Sequence, residues 1–115
     1  MTDIVSVYAL FASADEARSI ARATVEERLA ACANVLAPCH SIYRWEGRIE
    51  EAAEVPVLFK TKADLAEALI ARIGSLHSYE VPAVVAWPIE AAIPSYVEWV
   101  HAQTRAEPAR DDAPA

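Results

Sequence analysis

The segment Ile4–Phe11 constrains this chain more than any other, because it is apolar on both faces of an extended backbone. Alternation places Val5, Val7, Ala9 and Phe11 on one face and Ile4, Tyr8 and Leu10 on the other. Such a strand is central in a sheet and needs cover on both sides. A capping box, Ser13-x-x-Glu16, follows at once, in which the two side chains satisfy helix N–H groups reciprocally. The helix it starts carries Ala17, Ile20, Ala21, Val25 and Leu29 on one stripe.

From Ala33 to Lys62 the pattern predicts two long strands around the turn Trp45-Glu46-Gly47-Arg48. In the second strand Val57, Phe59 and Thr61 face one way, and Leu58, Lys60 and Lys62 the other. Glu50, Glu51 and Glu54 read as a solvated strand start or bulge. Pro38 and Pro56 each remove a ladder donor, which predicts edges or bulges there. A second helix from near Ala63 buries Leu65, Leu69, Ile73 and Leu76, with Gly74 as its terminator. Val81–Trp87 reads as the last strand. Pro94 opens a short helix with Ile93, Tyr96, Val97 and Val100 on one face.

The order strand, helix, strand, strand, helix, strand is that of a ferredoxin-like split βαβ fold, α+β, with both main helices on one face of an antiparallel sheet. It predicts one domain over residues 1–105 and a disordered tail over 106–115. The other sheet face is then bare although its strands are apolar, and soluble monomers rarely expose such a patch. The overlong hairpin also offers edges for a neighbour's strand. A homo-oligomer is the expected state.

Charge narrows the partners. A net charge of −7 is wrong for a nucleic-acid face and for an anionic membrane surface. Apolar runs are broken by Pro or charge before they could span a bilayer, and Met1-Thr2-Asp3-Ile4 shows no basic leader. Cys32 and Cys39 lie seven apart, an odd spacing that sends them to opposite strand faces. Free thiols in a reducing, cytoplasmic compartment are expected.

With only Gly47 and Gly74, the chain has neither a P-loop nor a dinucleotide fingerprint. No nucleophile, base and orienter can be assigned together, so a non-enzyme is expected. The densest polar stretch is His77-Ser78-Tyr79-Glu80, whose imidazole and carboxylate suit acid–base work or metal ligation. The plainer reading is a helix-to-strand loop with His77 capping carbonyls. Lys60, inside an apolar strand, is exposed at an edge or buried with a partner. Tyr43 and Trp45 form an aromatic pair suited to core or interface packing. Cys39-His40 is a soft-ligand dipeptide that needs further ligands to close a site.

Four co-linear motifs go further. Glu27-Arg28-Leu29-Ala30-Ala31-Cys32-Ala33-Asn34, Ser41-Ile42-Tyr43-Arg44-Trp45-Glu46-Gly47-Arg48-Ile49, Lys60-Thr61 and His77-Ser78-Tyr79-Glu80-Val81-Pro82, completed by Tyr96 and Trp99, resemble the CutA divalent-ion tolerance family. The resemblance implies a ferredoxin-like homotrimer with hairpins pairing between subunits, associated with tolerance of divalent cations and with copper binding. It implies an intersubunit cleft drawing on Trp45, Lys60, Tyr79 and Glu80. Cys32 and His77 would be the ligands for copper or zinc, soft or borderline ions suited by thiolate and imidazole. The alternative is a small-molecule sensor, similar in architecture to nitrogen-regulatory signal proteins, whose Lys60 meets an anionic ligand. Ser78 stands where the family usually has Pro, and Ala83 where it often has an acidic residue.

Overall fold

A computed structural model describes residues 2–106. Its elements are β1 (Ile4–Phe11), α1 (Ala14–Glu26), β2 (Cys32–Val35), β3 (Cys39–Trp45), β4 (Arg48–Lys62), α2 (Ala66–Leu76), β5 (Val84–Pro88) and α3 (Pro94–Gln103), with a single 3₁₀ turn at Ala63–Leu65. The fold is α+β, with an antiparallel sheet ordered β2-β4-β1-β5 and β3 paired to the first half of β4. The tail read at 106–115 lies, apart from Ala106, outside the described residues.

Strand β1 is central, as its two-sided apolar pattern requires, pairing with β4 and β5. Val5, Val7, Ala9 and Phe11, with Val55, Val57 and Phe59 of β4, bury against Ala17, Ile20 and Ala21 of α1 and Leu69 and Ile73 of α2. On the other face α3 covers one end only, packing Val100 with Ile4 and Ala31. The rest of that face carries Tyr8, Leu58, Lys60, Val85 and Trp87 in register, with Val85 49% and Trp87 45% exposed. This is the bare apolar face that the strand pattern requires.

Several expectations are corrected. The first long hairpin strand is two strands, because Pro38 interrupts it in the gap between β2 and β3. Pro56 lies inside β4, opposite that gap; its carbonyl accepts from Leu36 N–H at 2.9 Å, and having no N–H it leaves no donor unpaired there. On α1, Thr24 is buried in place of Val25, and Leu29 is buried only after the helix has ended at Glu26 and Arg28, with a φ of 62°, has turned the chain. The Arg28 guanidinium then donates to the Ala102 and Gln103 carbonyls, capping the last turn of α3. Gly74 does not terminate α2, which runs on to Leu76, itself left exposed. The last strand begins at Val84 rather than Val81, since Pro82 has no N–H to enter a ladder. Ile93 lies before α3 and is exposed.

Candidate functional site

The loop after α2 is built around an inward-turned histidine. At His77 the backbone becomes extended and the helix stops. The imidazole, whose side chain is wholly inaccessible, stacks on Phe11 at 4.8 Å between ring centroids and lies against Tyr79. Both ring nitrogens are engaged. Nδ1 accepts from Tyr79 N–H at 3.1 Å, and Nε2 lies 2.7 Å from the Leu10 carbonyl. A carbonyl only accepts and a backbone N–H only donates, so these partners fix the neutral tautomer with its proton on Nε2. His77 therefore has no lone pair to offer a cation within this chain.

The same loop is tied to α1 by Glu16. Its carboxylate accepts from Ser78 N–H at 2.8 Å and from Ser78 Oγ–H at 2.9 Å. The capping box is thus only half made: the Ser13 hydroxyl accepts from Glu16 N–H at 3.1 Å, while the Glu16 side chain reaches across to the loop. Proline at 78 could supply neither of these donors, so the serine has a structural use here.

Tyr79 then leans onto the hairpin, its hydroxyl donating to Glu54 Oε2 at 2.9 Å. Burial, and then the neighbouring Glu54 carboxylate, push the phenol up to about 12. Glu54 itself is only 8% exposed. Between loop and hairpin lies a cavity of about 720 Å³ lined by Leu10, Ile42, Tyr43, Trp45, Glu54, Tyr79, Glu80 and Val81, among others. Trp45 and Tyr43 are half-exposed walls of this cavity rather than core.

Of the residues singled out in the sequence, Trp45, Tyr79 and Glu80 meet in this cavity, and Lys60 does not. Lys60 is six residues from Glu54 along β4, about 20 Å at the usual strand rise, and its ammonium donates to Asn34 Oδ1 at 2.7 Å. Cys32 pairs opposite Lys60, with Sγ 3.4 Å from the Tyr96 hydroxyl. That contact and burial push the Tyr96 phenol up to about 12, burial first. Cys32 is thereby far from His77, whose contact to β1 is at Leu10, four residues along from Ser6, the residue beside Lys60. Cys32 and His77 do not converge within one chain, so a site using both would draw them from neighbouring subunits. Cys39 lies against Ser41, and His40 pairs with Glu51 at 2.6 Å on the exposed hairpin. Among the described residues, no three His, Cys, Asp or Glu side chains are grouped to hold a metal.

Two residues escaped the sequence reading. Glu54 hid among the acidic residues at the start of β4, although its parity matches Leu58 rather than a solvated face. Glu16 looked committed to its own helix cap.

The CutA1 divalent ion tolerance protein family matches residues 5–103. The chain is 49% identical to Protein CutA of Mus musculus over 76% of this chain and 50% of that protein. It is 44% identical to the divalent-cation tolerance protein CutA of Thermus thermophilus, over 80% of this chain and 89% of that one. The chain thus spans about half the length of the mammalian relatives it matches. The crystal structure of CutA from Xylella fastidiosa superposes with a TM-score of 0.88 at 34% identity, covering 90% of this chain and 100% of the other.

Proposed function

Because the chain belongs to the CutA1 divalent ion tolerance family, we propose that it is a non-enzymatic homotrimer serving tolerance of divalent cations. The observation that carries the oligomer is the uncovered sheet face, where Tyr8, Leu58, Val85 and Trp87 lie in register with no helix over them. Its burial by neighbours removes from water an apolar patch that a lone chain would leave exposed. The strand order supports the finer reading as a ferredoxin-like unit, with the free edges of β2, β3 and β5 available for pairing between subunits.

Copper or zinc is the cation this reading takes, with Cys32 as the donor, because a thiolate is a soft ligand and Cys32 lies on the face opposite α1 and α2, beside Tyr96 of α3. His77 drops out of the ligand set, its lone pair being used by Tyr79 N–H. A cytoplasmic setting goes with the two free thiols. Calorimetry with Cu(I) and Zn(II) on the assembled protein tests the ligand. Cys32→Ser weakens binding by about tenfold or more, the order expected for losing one ligand, while His77→Gln leaves the affinity per folded protein unchanged. Binding indifferent to Cys32→Ser refutes the assignment.

A further inference from the structure

The cavity between hairpin and loop has a chemistry of its own. Three aromatic side chains, Tyr43, Trp45 and Tyr79, share its wall with Leu10, Ile42 and Val81. Its charged lining residues are Glu54 and Glu80, both carboxylates, and none is basic. We propose that this cavity binds a small organic cation, an amine or quaternary ammonium with an apolar body.

Three observations converge on that class. The volume, about 720 Å³, is in the range of small-molecule sites. Aromatic faces attract cations, and do so best where water is displaced. Glu54 is a largely buried carboxylate held by a neutral phenol, and among the described residues it forms no ion pair with a basic side chain. A bound ammonium supplies a countercharge. Tyr79 remains protonated across ordinary pH and keeps donating to Glu54, which holds the carboxylate in place for a cation on its other side. Within the chain, an anion meets two carboxylates and no cationic lining residue, and the Lys60 of the sensor reading is at the far end of β4. A bare Ca²⁺ or Mg²⁺ ion wants a shell of oxygens that aromatic walls do not provide. The proposal uses no atom of Cys32, so it and the metal reading stand or fall separately.

Isothermal calorimetry on the full chain in its assembled state tests it with three probes of one shape. These are choline, neohexyl alcohol (carbon in place of the ammonium nitrogen) and tert-butylacetate. Choline binds, neohexyl alcohol binds about tenfold more weakly or worse, and tert-butylacetate gives no heat. Glu54→Gln, which still accepts from Tyr79, weakens choline by about tenfold and leaves neohexyl alcohol unchanged. Should that variant not fold, Glu80→Gln on the exposed loop weakens choline severalfold with the same selectivity. Equal affinity for choline and neohexyl alcohol, preference for tert-butylacetate, or no binding of choline at millimolar concentration each overturns the proposal.

Discussion

Tyr79 is the residue on which the loop, the hairpin and the cavity meet. Its N–H fixes the tautomer of His77, and its hydroxyl holds Glu54. The phenol is pushed up to about 12, so its proton is lost at higher pH in the folded chain than in the unfolded one. A group with a raised folded value contributes stability that is fully present below its unfolded value, near pH 10 for tyrosine, and lost as pH rises toward 12. Tyr96 acts in the same direction and Tyr8 more weakly. Ultraviolet titration of tyrosinate should therefore show a late-ionising class that disappears on unfolding. Tyr79→Phe removes one phenol from that class and reduces the loss of stability between pH 10 and 12. Ionisation of all four tyrosines together near pH 10 in the folded protein contradicts this environment. At this scale the sequence showed less than the structure. His77, Tyr79 and Glu80 stood out as a polar run, but the tautomer of His77 depends on Leu10, a residue 67 positions away. Chain-distant partners of that kind leave no spacing signal, and Glu16 and Glu54 were missed for the same reason.

At the scale of elements, the hairpin turn was legible and the strand leading into it was not. Glu46 and Gly47 have φ of 49° and 78°, the paired left-handed conformation of a type I′ turn. Gly47 is there because such a φ penalises any Cβ, even though one built on it meets nothing within 4 Å. Gly47→Ala is then a purely backbone change. It should lower unfolding stability by about 1 kcal/mol, measured by chemical denaturation, with the fold intact; no loss would mean that the turn is not held in this form. By contrast, the break between β2 and β3 falls at Pro38, opposite the stretch of β4 that holds Pro56, and where the pairing resumes is set by β4 rather than by either proline's own neighbours. Helix positions followed the apolar stripe where the helix is regular, as at Ala17, Ile20, Leu69 and Ile73. They departed from it at the ends, where Val25 and Leu76 are exposed. Gly74, tolerated inside α2, shows that a terminator signal is only as strong as the capping geometry around it.

At the scale of the whole molecule, the strand pattern was the strongest signal in the sequence, since it implied both the fold and its incompleteness. β1 is covered by α1 and α2 on one side, and on the other only its Ile4 end meets α3. The remaining face presents Tyr8 and Trp87 in ring contact at 5.8 Å between centroids, beside Val85 and Leu58. The reading as a divalent-cation tolerance protein depends on that face being closed by other copies of the chain. Multi-angle light scattering behind size exclusion tests this most directly. The account predicts a mass of three chains that persists on dilution to low micromolar concentration, and its collapse toward one chain in Trp87→Glu, where a charge is forced into the buried face. A single-chain mass for the wild-type protein across that range, or a three-chain mass untouched by Trp87→Glu, contradicts it.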